Sequence, residues 1–221
     1  MTPAPASPST LIGLVQTIPA EQTAVIGPEP NIRLTYGSLR MQVQATAERL
    51  AAAGINRGDR VAMALPNGIP AIITFLAASV VGTAAPLDPG YKEEEFRFAL
   101  EDTNARVLLL PPEDVAEARA AADDRIPIFT VDMDAAGTVS VRGLTESRPV
   151  ALPDIEDVAL ILHTSGNTGH PKRVPLTHAN LSISADNVAR HYALGPGDVS
   201  LCVMPLYHVH GLVASTLASD P

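Results

Sequence analysis

Apolar positions recur along the chain with two different periods, and the alternation of those periods carries the first structural reading. A helix start is marked near Leu34 by Thr35 as N-cap, and Leu39, Val43, Ala47 and Leu50 keep helical spacing until Gly54 ends it. The turn Gly58-Asp59 leads into the apolar run Val61 to Leu65, which has the length of a strand. Pro66-Asn67-Gly68 then opens an Ile/Leu/Val-rich helix to Val81, with Gly82 as its stop. The cycle repeats. Ala84 to Leu87 reads as a strand, Glu93, Glu94 and Glu95 lead a helix carrying Phe96, Ala99 and Leu100, and Val107 to Leu110 reads as the next strand. An acidic helix, Glu113 to Ala122, and the run Ile126 to Val131 follow. Residues 132–157 are richer in Gly, Pro, Ser and charge and read as a connection with a short strand pair near Val139 to Val141. Beyond it come the run Val158 to Leu162, a polar loop, the run Arg173 to Leu176, a helix from His178 to Tyr192 and the run Val199 to Met204. Strands alternating with helices predict an α/β fold: right-handed crossovers and a mainly parallel sheet with helices on both faces.

Composition narrows the function classes. With 221 residues and 46% apolar content the chain can bury a real core, which excludes disorder for most of its length. Fifteen Lys+Arg against 24 Asp+Glu give a net charge of −9, so no basic face is expected to follow nucleic-acid phosphates or an anionic membrane. The one cysteine, Cys202, excludes a disulfide framework and a thiolate zinc site and points to a reducing, cytoplasmic compartment. Inside an apolar run it reads as core and not as a nucleophile. The stretch Ala71 to Ala85 falls short of the ~20 residues that span a bilayer and reads as a buried helix, so no membrane span is expected. MTPAPASPST has neither the basic nor the apolar segment of a secretory signal, and residues 1–10 read as a mobile tail.

The densest chemistry lies between Thr164 and Lys172. Thr164-Ser165-Gly166-Asn167-Thr168-Gly169-His170-Pro171-Lys172 packs hydroxyls, two glycines and an ammonium into nine positions directly after an apolar run. Glycines let backbone N–H groups approach phosphate oxygens, Ser and Thr add neutral donors, and lysine adds a compact charge. Lys92 and Lys172 are the two lysines of a chain that otherwise uses arginine, so this lysine is not compositional background. A plain Ser/Gly/Thr turn is the competing reading. A Walker A loop would place glycine five positions after Gly166, where Pro171 stands, and Pro171 with Pro175 resists an immediate helix. Strand, loop, strand is therefore predicted.

This stretch resembles the phosphate loop of the adenylate-forming (AMP-binding) superfamily of acyl-CoA synthetases, peptide-synthetase adenylation domains and luciferases, Thr-Ser-Gly-Thr-Thr-Gly-x-Pro-Lys-Gly. Leu34-Thr35-Tyr36, Gly58-Asp59-Arg60-Val61, Ala85-Pro86-Leu87-Asp88-Pro89 and Pro205-Leu206-Tyr207-His208-Val209-His210-Gly211 look like further landmarks in the family's order. The resemblance implies the front part of the large N-terminal domain of an ATP-dependent carboxylic acid–CoA ligase. ATP and CoA would be co-substrates with a small carboxylic acid. Thr164, Ser165, Gly166, Asn167, Thr168, Gly169 and Lys172 would hold the β- and γ-phosphates, and Lys172 would act catalytically by stabilising charge on the leaving pyrophosphate. Tyr207, His208 and Gly211 would border the acid pocket, and the His-x-His-Gly form resembles ligases for small acids such as oxalate or malonate. Asn167 stands where the family has a hydroxyl and can still donate to phosphate. Arg173 stands where the family has glycine. Its side chain either displaces Lys172 or reaches solvent or phosphate.

His208 and His210 share a face of an extended segment, yet no third ligand of matching spacing follows, so no metal site is assigned. His163, His170, His178 and His191 read as loop or helix surface. The family's magnesium-holding acidic residue, ribose-binding aspartate and mobile-domain lysine have no counterpart here, and Ala218-Ser219-Asp220-Pro221 falls inside an expected helix, so the C-terminal domain is read as absent. Residues 57–205 are expected to form a near-complete sheet subdomain, with 11–56 and 206–221 belonging to a second, incomplete one. Leu39, Val43, Leu50, Leu212 and Leu217 would then lie uncovered, and self-association through them is expected. A non-catalytic nucleotide-binding or partner-packing remnant, or one piece of a split ligase, is the rival reading. The isolated chain is expected to be inactive alone.

Overall fold

The computed structural model describes residues 9–27, 32–113, 115–164 and 171–219. In chain order they form α1 (Leu11–Gln16), β1 (Thr23–Ile26), β2 (Arg33–Thr35), α2 (Tyr36–Ala52), β3 (Arg60–Met63), α3 (Ile69–Val81), β4 (Thr83–Pro86), α4 (Glu93–Thr103), β5 (Ala105–Leu110), α5 (Ala116–Ala122), β6 (Ile128–Met133), β7 (Val139–Val141), β8 (Val158–Thr164), β9 (Lys172–Thr177) and α6 (His178–Tyr192). The helix starts follow local chemistry. Thr35 Oγ1 accepts the Ser38 N–H at 3.2 Å, and Thr177 and Asn180 exchange side-chain bonds at the head of α6. Residues 1–8 of the expected tail lie outside the described residues, while Ser9 and Thr10 are engaged: Thr10 caps α1 and the Ser9 N–H donates to Ser182 Oγ at 3.0 Å.

Seven strands make one sheet in the order β7-β6-β5-β3-β4-β8-β9. The inner neighbours from β6 to β8 are parallel, whereas β6/β7 and β8/β9 pair antiparallel, so the expected parallel sheet is edged on both sides by reversed strands. β3 leads through α3 to β4 on one side, and β4 leads through α4 to β5 on the other. The chain therefore leaves β3 in one direction and returns on its other side, so the switch point lies between β3 and β5, where an open α/β sheet leaves a crevice at the carboxyl ends of its strands. One apolar layer, including Leu39, Val43, Leu50, Phe75, Leu76 and Leu181, gathers α1, α2, α3 and α6. A second, with Phe96, Leu100, Leu108 and Leu110, gathers α4 and α5 on the opposite face. α3 is buried nearly all round, as its largely apolar sequence requires. At its end Gly82 is a steric necessity: a Cβ there would stand 2.5 Å from the Asp59 carbonyl oxygen.

Two expectations are corrected. Leu39, Val43, Leu50, Leu212 and Leu217 are not uncovered; each is at most 3% exposed. α2 lies on α3, with α1 and β7 beside it, and the turns after His210 pack under α6. The run Val199 to Met204 is not a strand of the sheet. It pairs with no described strand, and Val199, Leu201 and Val203 are 78%, 82% and 73% exposed while Cys202 between them is half-buried against the core. The period-two pattern is present without a neighbour to complete a ladder. Among the described residues no helix is long and apolar enough to cross a membrane.

Candidate functional site

The sequence-predicted site residues that are described gather at the carboxyl end of the sheet. β8 and β9 form an antiparallel hairpin in which His163 faces Arg173 and Thr164 faces Lys172. Strand, loop, strand is thus the observed arrangement at its two stems. Thr164 Oγ1 donates to the Lys172 carbonyl at 3.4 Å, and both residues are exposed. Alternation along the strands puts Thr164 and Lys172 on the α3/α6 side of the sheet with Leu162, and His163 and Arg173 on the α4 side. Ser165, Gly166, Asn167, Thr168, Gly169 and His170 lie outside the described residues.

Arg173, its side chain 48% exposed, turns away from the Lys172 side. Its guanidinium donates to the Asp102 carbonyl at the end of α4, and its Nε stands 3.9 Å from the Asp102 carboxylate. The same carboxylate lies 3.0 Å from His163 Nε2, and the His163 ring meets Phe98 edge-on. His163 is accordingly corrected from surface to a partnered side chain, 6% exposed.

Tyr207 and His208 come to the same end of the sheet through Asn67, which follows β3. Asn67 Nδ2 donates to the Met204 carbonyl at 2.9 Å, and its Oδ1 accepts the Leu206 N–H at 2.8 Å. This clip ties the segment to the carboxyl end of β3, with Tyr207 beside Asp88, which follows β4. Burial, the Asp88 charge and a hydrogen bond to Asp88 raise the Tyr207 hydroxyl above the ordinary tyrosine range; burial and the charges of Asp88 and Glu95 do the same for Tyr91. The rings of Tyr207 and His208 stand 4.8 Å apart, and His208 and His210 are exposed. Gly211 has a packing reason of its own, since a Cβ would stand 2.3 Å from the Pro205 carbonyl oxygen.

Residues 15–219 match the family model described as AMP-binding enzyme. This chain belongs to that family. Among its relatives, a probable CoA ligase, CCL9, of Humulus lupulus is 38% identical over 95% of this chain and 42% of its own length. The oxalate–CoA ligase of Arabidopsis thaliana is 38% identical, over 95% of this chain and 43% of its own. ATP-bound MatB from Rhodopseudomonas palustris superposes with a TM-score of 0.81 at 25% identity, over 97% of this chain and 44% of that one. The chain thus spans about two fifths of the length of the relatives it matches. Within the family fold, the hairpin and the Asn67 clip occupy the carboxyl end of the strands.

Other candidates carry less. A cavity of about 620 Å³ opens at the opposite, amino end of β3, β4 and β8, among Gly58, Thr83 and Val158. Its arginines are engaged: Arg57 pairs with Asp157 at 2.7 Å and Arg148 donates to the Ile55 carbonyl at 2.9 Å. Among the described residues no group of three or more His, Cys, Asp or Glu is placed to hold a metal ion. His178 is corrected from surface to core. It is fully buried, its Nδ1 accepts the Leu11 N–H at 3.1 Å, and its Nε2 lies 3.0 Å from the Ser79 carbonyl. A carbonyl only accepts, so Nε2 carries the proton. His191 is exposed, as expected. Sequence reasoning missed Asn67 and Asp102 as organising residues. Asn67 sits in a Pro-Asn-Gly turn that needs no further explanation, and Asp102 is one acid among several on an acidic helix.

Proposed function

We propose that this chain is the front portion of the large N-terminal domain of an ATP-dependent carboxylic acid–CoA ligase, with residues 11–221 belonging to that domain. Supporting this reading above all is the Thr164–Lys172 rung at the carboxyl end of the sheet, flanking a run of hydroxyl, glycine and amide residues. In the reaction a substrate carboxylate oxygen bonds to the α-phosphorus of ATP, the Pα–O–Pβ bond breaks, and pyrophosphate leaves with the negative charge. Thiolate of CoA then bonds to the acyl carbon and AMP departs, leaving a thioester. Lys172, with Thr164, Ser165, Gly166, Asn167, Thr168 and Gly169, would hold the β- and γ-phosphates, so its ammonium stabilises charge that grows as pyrophosphate forms. Tyr207, His208 and Gly211 border the acid site, Tyr207 being oriented by Asp88. The oxalate–CoA ligase relatives favour a small, polar carboxylic acid.

The groups that would hold ribose and Mg²⁺ belong to the remaining three fifths of such an enzyme, so the isolated chain binds phosphate without turning over. Calorimetry tests this. Lys172→Ala should weaken pyrophosphate binding by roughly 1.5–3 kcal/mol, the worth of a hydrogen bond to a charged group. Equal affinity in variant and parent would favour the plain turn, and carboxylate-dependent pyrophosphate exchange by the purified chain would overturn its inactivity.

A further inference from the structure

The carboxyl end of α4 is held by arginines from two strands, β3 and β9. Helix-terminal carbonyls lack intrahelical donors and are met here by two guanidinium groups. Arg60 donates to Thr103 and Asn104 at 2.8 and 2.7 Å, and Arg173 donates to Asp102. Asp102 is the shared point. Its carbonyl takes Arg173 and its carboxylate takes His163 Nε2 at 3.0 Å, and these two residues are opposed in the β8/β9 hairpin. A carboxylate only accepts, so His163 Nε2 carries the proton of that bond. The next rung of the same hairpin is Thr164–Lys172.

We propose that Asp102 is a positioning residue for the phosphate site: by gripping both members of the His163–Arg173 rung it fixes where the Thr164 hydroxyl and Lys172 ammonium stand. The proposal rests on the reading of Thr164 and Lys172 as phosphate ligands. Asp102 acts from the opposite face of the sheet and touches no ligand. A β8/β9 stem at the edge of a sheet has a free side and can twist; tying it to a helix end removes that freedom, and small displacements of a binding group cost large factors in the chemistry it serves. Glycine at position 173 would leave His163 as the single tie. Arg173 adds a second, which accounts for a long side chain where the family pattern has none.

The test is pyrophosphate calorimetry on the full chain, with thermal unfolding and the ¹⁵N spectrum of the His163 ring. Asp102→Ala should lower affinity about three- to tenfold and abolish the fixed Nε2–H signature, with little change in melting temperature. Asp102→Asn, which keeps an acceptor oxygen, should restore affinity to within about twofold of the parent. If Asp102→Ala lowers the melting temperature by more than about 5 °C, His163→Phe makes the same comparison, because it keeps the ring packing and drops the bond. Parent-like affinity in Asp102→Ala, alongside a loss in Lys172→Ala, would overturn the positioning role and leave the phosphate site standing. Absence of pyrophosphate binding in the parent, or indifference to Lys172→Ala, would remove the phosphate site and the positioning role together. Equal losses in Asp102→Ala and Asp102→Asn that follow melting temperature would reduce Asp102 to a fold residue.

Discussion

His178 joins three parts of the molecule through one imidazole: the Leu11 N–H, the Ser79 carbonyl and its own place in α6. Burial holds its pKa below the usual histidine value, opposed more weakly by the Ser79 bond and the Asp157 charge. The folded ring thus stays neutral where the unfolded ring, at about 6.5, begins to take a proton. The unfolded state therefore binds more protons below that pH, and stability falls as pH drops below it, by at most about 1.4 kcal/mol per unit. His178→Gln should lose roughly 1–3 kcal/mol at pH 7 and show a flatter dependence between pH 7 and 5.5 in urea titrations. An equal slope in both proteins would assign the titration elsewhere. Gly211 makes a second residue-scale case. Gly211→Ala should cost roughly 1–3 kcal/mol in thermal unfolding, because the oxygen that its Cβ meets at 2.3 Å is backbone and cannot swing away.

At the scale of elements, α2 and the segment after α6 separate covered from uncovered apolar surface. α2 presents Leu39, Val43 and Leu50 to α3, whereas residues 199–204 expose Val199, Leu201 and Val203 with no ladder partner among the described residues. Amide exchange should therefore be slow in α2, β3 and β5 and fast across 199–204, as mass spectrometry of peptides would read. Leu201→Lys should change stability by less than about 0.5 kcal/mol, since little contact is lost at an exposed position. Slow exchange across 199–204 in a monomer would mean that the segment is covered.

At the scale of the whole molecule, the described residues form a seven-stranded sheet between two apolar layers, with β1 and β2 as a separate pair, and the layers are anchored by Phe75 on one face and Phe96 on the other, both at most 1% exposed. The layers share β3 and β5, so they cannot melt separately without exposing a face of the sheet. Phe75→Ala and Phe96→Ala should each cost about 3–5 kcal/mol, with one denaturation midpoint seen alike by far-UV circular dichroism and tyrosine fluorescence. Two midpoints in either variant would divide the layers.

What the sequence determined by itself is what short-range rules govern. Thr35 and Thr177 mark the starts of α2 and α6, Gly82 marks the end of α3, and the acidic lead of Glu93 to Glu95 opens α4, because capping and helical spacing act within about four residues. The proposed phosphate chemistry of the Thr164–Lys172 run likewise rests on residue types alone. Partners far along the chain decided the rest. His178 is core because Leu11 lies 167 residues away in sequence and 3.1 Å away in space, and the His163 side chain is partnered because Asp102, 61 residues earlier, stands 3.0 Å from it. Arg173 finds its partner in Asp102, 71 residues before it, and Val199 to Met204 lost its strand because no described neighbour runs beside it. Burial and pairing are properties of two surfaces, and a linear pattern describes only one of them.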